Sequence, residues 1–177
     1  MKILFTYITH PVEPLGIMYL SSYLKQYGHE TKLVRIDQED VEDVISKFKP
    51  DIIASQAMTG GHKEVIEFFK KLKEKFKFIS VMGGSHPTFY PKVIEENGID
   101  ICICGEAEDA LAELMNALEN NEDYTKIPNL LVKKDDKIYH NEMRDLREDI
   151  DNFPFPDRAI AYEHEIWRKQ PIRHFIA

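Results

Sequence analysis

The sequence has 177 residues, which is enough for one α/β domain and a small addition. Hydrophobic residues make up 43% and charged residues 31% of the chain, as in ordinary globular proteins. The net charge of −8 argues against a nucleic-acid groove, and no apolar run approaches the length of a membrane span. The first apolar segment is too short for a signal peptide and lacks a cleavage site, so we expect a cytoplasmic protein.

Apolar strands and amphipathic helices alternate five times in the first 119 residues. The strands are predicted at 2–8, 31–36, 51–55, 78–82 and 100–104, and the helices at 15–27, 39–48, 61–75, 90–97 and 107–119. The strands show no clean polar alternation, which is typical of strands covered by helices on both faces. This pattern predicts a doubly wound, five-stranded parallel sheet that binds ligands at the carboxyl ends of its strands.

The pattern changes after Asn120. Residues 128–141 (PNLLVKKDDKIYHN) predict a β-hairpin that turns at Asp135-Asp136, and a polar, proline-punctuated linker or wrapping arm follows. The final PIRHFIA has the pattern of a strand that stops with the chain, so we expect a fragment of a longer protein. The predicted organisation is an α/β domain at 1–120, a hairpin at 121–143 and an arm at 144–177.

The two cysteines, Cys102 and Cys104, lie two residues apart in the fifth predicted strand. Two such positions face the same side of a strand, do not form an ordinary disulfide and do not complete a metal site. We expect buried, unreactive thiols. Neither catalytic residues nor protein ligands to a metal are predicted in this chain.

The loops after the strands lack the usual phosphate-binding features. No G-x-G-x-x-G follows the first strand, and Pro11 and Pro14 remove backbone donors from that loop. Ser55 ends the third strand, where a phosphate-receiver domain needs an aspartate. The loops offer small residues instead, above all Gly83-Gly84, which permit close approach by a bulky, flat ligand.

Five stretches in this order resemble the N-terminal cobalamin-binding domain of class B radical S-adenosylmethionine enzymes. They are PLGIMYLSSYLKQYGHET, PDIIASQAMT, VMGGSHPTFYP, GEAEDAL and FPFPDR, and together they span nearly the whole chain. The resemblance implies a flavodoxin-like, Rossmann-type fold with a C-terminal hairpin and an extended linker arm. It also implies that PIRHFIA precedes the cluster-binding C-x-x-x-C-x-x-C motif of a radical S-adenosylmethionine domain absent from this chain.

The resemblance places cobalamin against the start of the first helix and the loops after four strands. The implied cofactor-binding residues are Thr9, His10, Pro11, Leu15, Gly16, Ser55, Gln56, Met58, Thr59, Gly83, Gly84, Ser85, His86, Gly105 and Glu106. Ser55 and Thr59 offer hydroxyls to polar atoms of the cofactor. His86 either contacts the ligand or holds its own loop. Glu106 and Glu108 are also explained as acids that stabilise a helix start.

The histidine that ligates cobalt in other cobalamin domains lies in D-x-H-x-x-G. Here His10 is preceded two positions earlier by Ile8 and followed three positions later by Glu13. The resemblance therefore implies base-off cobalamin held without a protein histidine on cobalt. In the complete protein it implies S-adenosylmethionine and an iron–sulfur cluster in the missing domain.

The partners implied are the protein's own radical S-adenosylmethionine domain and a small-molecule or peptide substrate, without nucleic acid or membrane. The expected chemistry of the complete protein is radical-based methyl transfer or a related reaction. Two alternatives stay open. One is a degenerate domain that binds no cofactor and only docks on the catalytic barrel. The other is a flavodoxin-like module for a nucleotide or flavin.

Overall fold

A computed structural model describes residues 1–7, 13–37, 39–149, 151–164 and 168. Within these ranges the chain forms one mixed sheet covered by helices. Its strands are β1 (Lys2–Tyr7), β2 (Glu30–Arg35), β3 (Ile52–Gln56), β4 (Ile79–Gly83), β5 (Ile101–Ile103), β6 (Leu130–Lys134) and β7 (Lys137–His140). Their spatial order is β2-β1-β3-β4-β5-β6-β7. The first five strands are parallel, and β6 and β7 join antiparallel.

The helices divide between the two faces of the sheet. They are α1 (Leu15–Gln26), α2 (Val41–Phe48), α3 (His62–Lys73), α4 (Ser85–Phe89), α5 (Glu108–Glu119) and α6 (Arg158–Tyr162), with a 3-10 helix at Pro91–Glu95. One apolar core joins α1, α5 and α6 to the sheet, and a second joins α2, α3 and the 3-10 helix to the opposite face. The central strands β1, β3 and β4 are mainly apolar because both of their faces are covered.

The predicted doubly wound α/β fold is confirmed, with one local correction. A helix was predicted at 90–97, but the chain forms α4 at Ser85–Phe89 and then the 3-10 helix at Pro91–Glu95. Tyr90 separates the two elements with an extended φ of −134°. Proline fixes φ and lacks an N–H, so Pro91 suits the first turn of a new helix and ends hydrogen bonding from the old one.

The predicted hairpin is confirmed, and it extends the parallel sheet. Asp135 and Asp136 both have positive φ, 51° and 58°, as a two-residue type I′ turn requires. Aspartate tolerates this left-handed conformation better than most residues. Strand β6 pairs with β5, so the hairpin lies at the edge of the same sheet.

The proline-punctuated segment packs on α1. The Asp157 carboxylate accepts hydrogen bonds from Ser21 Oγ at 2.7 Å and Lys25 Nζ at 2.6 Å, and its backbone N–H donates to the Met18 carbonyl. The same side chain caps α6 by accepting from the Ile160 N–H. The predicted arm therefore wraps this domain over the described part of its length, while PIRHFIA lies outside the described residues.

No helix in the described ranges combines the length and the hydropathy of a membrane-crossing segment.

Candidate functional site

The chain order reverses between β1 and β3. From β1 the chain passes outward to β2 on one side, and from β3 onward it proceeds to β4 and β5 on the other. The connection after β1 passes through α1 and the connection after β3 passes through α3, and these helices pack on opposite faces of the sheet. Ligands of α/β sheets bind in the crevice at such a switch point.

A cavity of about 400 Å³ lies near this crevice, between the sheet and helices α1 and α5. Its walls are mainly apolar, with polar groups from Ser55, Gln56, Glu106 and Glu108. The lining residues are Phe5, Gly16, Ile17, Leu20, Ala54, Ser55, Gln56, Val81, Gly83, Gly84, Ile103, Gly105, Glu106, Ala107, Glu108, Leu111 and Leu146. A concave, mostly apolar site with a few polar groups is the usual form of a small-molecule site.

Small side chains on the central strands form the floor of the cavity. Ala54 of β3 pairs in register with Phe5 on one side and Val81 on the other, so a methyl group lies between two larger side chains. Two pairs further along, and therefore on the same face, Gln56 is opposite Gly83, which has no side chain. The sheet is thus hollowed toward the carboxyl ends of its strands.

Gly83 and Gly84 both line the cavity, but for different physical reasons. A Cβ built on Gly83 would meet no heavy atom within 4 Å, so the missing side chain leaves open space. A Cβ on Gly84 would lie 3.0 Å from the Ala57 carbonyl oxygen, and Gly84 has a φ of +96°. Gly83 therefore leaves room for a ligand, whereas Gly84 is required by the loop itself.

His86 lies on the opposite side of the sheet from this cavity, with α3. Its side chain is buried, its Nδ1 is 3.1 Å from Thr59 Oγ1, and its ring stacks on His62 with centroids 3.8 Å apart. His86 and His62 border a second, charged cavity of about 270 Å³. The contacts of His86 thus connect the loop after β3 to the loop after β4.

Acidification should destabilise the protein through His86. Burial, and to a smaller degree His62, lower the pKa of His86 because both disfavour a charged ring. The unfolded chain takes up this proton near its ordinary pKa of about 6.5, before the folded chain does, so stability falls as pH falls below that value. We expect His86→Gln to flatten the fall in melting temperature between about pH 7 and 5.

The matched control for this titration is His140→Gln, which removes an exposed imidazole from β7. That variant should retain the wild-type pH dependence. Parallel melting curves for wild type and His86→Gln across the same pH range would contradict the role assigned to His86.

The two glutamates at the start of α5 have structural contacts. The Glu108 carboxylate accepts from the Ala107 N–H at 3.1 Å, as expected of an acid in the first turn of a helix. The Glu106 carbonyl accepts from Asn129 Nδ2 at 2.8 Å, and its carboxylate accepts from the Arg147 N–H at 3.3 Å. Both side chains also reach the cavity lining.

Seven of the predicted cofactor-binding residues line the cavity together: Gly16, Ser55, Gln56, Gly83, Gly84, Gly105 and Glu106. Leu15, Met58, Thr59, Ser85 and His86 do not line it. Met58 is exposed in the loop after β3, and Ser85 is the first residue of α4. Thr9, His10 and Pro11 lie outside the described residues.

The sequence prediction omitted the apolar part of the lining. Phe5, Ala54, Val81 and Ile103 look like ordinary core residues, and only the pairing register shows that they face one cavity. Successive side chains of a strand point to opposite faces of the sheet, so the sequence could have indicated that Val81 faces the same side as Gly83. Leu146 gave no comparable signal, since it lies in a polar linker.

The sequence pattern of the B12 binding domain family matches residues 1–115, which include β1 to β5, helix α1 and the first two turns of α5. The chain belongs to the B12-binding domain family. The resemblance drawn from the five sequence stretches is confirmed, and the cavity lies within a known type of cofactor domain.

Relatives by sequence include an uncharacterized methyltransferase of Pyrococcus horikoshii, 31% identical over 81% of this chain. Another is the anaerobic magnesium-protoporphyrin IX monomethyl ester cyclase of Synechocystis, 29% identical over 78% of this chain. The match covers 33% of the first relative and 30% of the second. The B12-binding chain thus spans about a third of the length of these proteins.

Solved structures share the fold. The cobalamin-dependent S-adenosylmethionine radical enzyme OxsB, with aqua-cobalamin and S-adenosylmethionine bound, matches 94% of this chain and 25% of its own with a TM-score of 0.75 at 18% identity. The radical S-adenosylmethionine methyltransferase TsrM of Kitasatospora setae, with cobalamin and a [4Fe-4S] cluster bound, matches 88% of this chain and 31% of its own. Its TM-score is 0.69 at 18% identity.

Proposed function

We propose that this chain binds cobalamin and that the nucleotide tail occupies the cavity between the sheet and helices α1 and α5. The observation that supports this most strongly is the space above Gly83, inside a 400 Å³ cavity of a B12-binding domain. The corrin ring would be held by the loops that follow β3 and β4.

The residues present fit such a ligand. The apolar walls from Phe5, Ile17 and Val81 suit an aromatic nucleotide base. Ser55, at the polar end, can donate or accept a hydrogen bond, as the sugar and phosphate of a tail require.

The absence of a supported histidine favours base-off, His-off binding. In the ligating motif an acid beside the histidine fixes its tautomer and raises its basicity. Here Ile8 and Val12 flank His10 at two residues on either side, and neither can do this. Cobalamin held in this way would supply a cobalt centre that can be reduced and can carry a methyl group.

The complete protein would use this domain in radical-based methyl transfer or related chemistry. In support, its relatives include an uncharacterized methyltransferase, and this chain spans about a third of that relative. S-adenosylmethionine and an iron–sulfur cluster would be bound by a radical S-adenosylmethionine domain beyond the arm at 144–177. The substrate, a small molecule or a peptide, would bind there, and residues 1–120 would hold the cobalamin.

Titration with hydroxocobalamin tests the proposal. We expect the corrinoid to co-migrate with the chain in anaerobic gel filtration and to show the visible spectrum of the base-off form. Cobinamide, which lacks the nucleotide tail, should bind much more weakly if the tail occupies the cavity. Absence of co-migrating corrinoid would favour a docking domain without cofactor, and preferential binding of a flavin or nucleotide would favour the flavodoxin-like alternative.

The His-off assignment has its own test in His10→Ala. We expect the visible and paramagnetic-resonance spectra of the bound corrinoid to stay unchanged in this variant. Nitrogen superhyperfine coupling from the lower face, present in wild type and lost in His10→Ala, would make His10 a ligand of cobalt.

A further inference from the structure

A short segment of the arm borders the mouth of the cavity. We call residues 142–149 the strap. The strap lies beyond residues 1–115, which match the B12-binding family, yet Leu146 is one of the residues that line the cavity. Its position depends on contacts to Asn129, which directly precedes β6, and to α5.

The first attachment of the strap is at Arg144. The Arg144 guanidinium donates to both carboxylate oxygens of Glu113, at 2.9 and 2.5 Å. Its backbone N–H donates to Asn129 Oδ1 at 2.6 Å, and the Asn129 N–H donates to the Glu142 carbonyl at 3.0 Å. A two-point arginine–carboxylate pair fixes orientation as well as distance.

The second attachment is at Arg147. Its guanidinium donates to both carboxylate oxygens of Asp109, each at 3.0 Å, and lies over the Phe153 ring at 4.8 Å from the centroid. Asp109 and Glu113 are four residues apart on α5 and therefore lie on one side of that helix. The strap is thus fastened on both sides of Leu146 to the helix that forms one wall of the cavity.

Leu146 lies between these attachments with its side chain in solvent. It is 78% exposed, although Arg144 before it and Arg147 after it are held in place. An apolar side chain that is positioned at the mouth of an apolar cavity gains free energy when a ligand covers it.

We propose that Leu146 is a cofactor-contact residue that packs on the nucleotide tail of cobalamin where the tail enters the cavity. This inference rests on the proposed function. It extends the binding site to a residue outside the segment that matches the family. Arg144 and Arg147 are positioning residues, since they belong to the strap and hold it against α5.

The test is the affinity of Leu146→Asp for hydroxocobalamin, measured by equilibrium dialysis. Burying a leucine contributes about one to two factors of ten in a binding constant, so we expect affinity to fall about tenfold or more. Affinity for cobinamide should not change, because that corrinoid has no tail for Leu146 to cover. Melting temperature should also be unchanged, since the wild-type side chain is exposed.

Phe155→Asp is the matched control, because Phe155 is 92% exposed on the same arm and does not line the cavity. It should bind hydroxocobalamin like wild type. Equal affinity of Leu146→Asp and wild type would overturn this inference and leave the proposed function in place. Failure of the wild-type chain to bind hydroxocobalamin would overturn both.

Discussion

Replacing Gly83 by valine should weaken hydroxocobalamin binding by about 10- to 100-fold while the protein stays folded. The new side chain would point into the cavity, because Gly83 faces the same side of β4 as the lining residue Val81. No heavy atom lies within 4 Å of the added Cβ, so the free protein has room for it. Valine also suits a strand. Equilibrium dialysis and thermal melting would measure the two effects separately.

A ligand without the tail makes this result specific. Cobinamide affinity of Gly83→Val should match wild type, since the filled space serves the tail. Tight hydroxocobalamin binding by a well-folded Gly83→Val protein would show that the tail does not enter this cavity.

Replacing the next residue, Gly84, by valine should instead destabilise the fold by about 3 kcal/mol or more. Its φ of +96° and ψ of −168° lie in a region that is essentially restricted to glycine. The added Cβ would also press on the Ala57 backbone, with the carbonyl oxygen 3.0 Å and the nitrogen 3.2 Å away. Ala57 cannot easily move, because its N–H donates to the Gly83 carbonyl and its carbonyl accepts from the His86 N–H.

Urea unfolding curves would measure this loss, with Gly83→Val as the internal comparison. The two variants carry the same new side chain at adjacent positions, so their difference isolates the backbone requirement at Gly84. An unfolding midpoint for Gly84→Val equal to that of Gly83→Val would contradict the assignment.

The order of the elements was predictable because most of the parallel strands are apolar runs that lie between helices with a clear apolar face. The chain from β1 to α5 follows this rule, and Asp135-Asp136 marks the hairpin turn by its chemistry. The region of α4 was harder to predict. Pro87 and Pro91 lie four residues apart there, so the choice of helix start depends on the loop geometry at Gly84.

The candidate site was predictable where a glycine or a hydroxyl residue lies at the carboxyl end of a strand, as Ser55 and Gly83 do. It was less predictable where a role depends on strand register. Ala54 is an unremarkable core residue until its neighbours Phe5 and Val81 are known. The sequence also could not separate Gly83 from Gly84, because open space and a positive φ both select glycine. The sequence also did not indicate that His86 faces α3, because the direction of the turn before His86 is set by tertiary contacts.

The antiparallel hairpin affects whether this chain stays monomeric in solution or associates through a sheet edge. Strand β5 consists of three buried residues, and β6 covers the side that β4 leaves open. Without the hairpin, the apolar β5 would be an unprotected sheet edge, which recruits strands from other chains and promotes aggregation. With it, the outer strand is β7, whose exposed residues include Lys137 and His140. Polar groups at an edge oppose such pairing, so the hairpin acts as a barrier to self-association, although it lies outside the segment that defines the family.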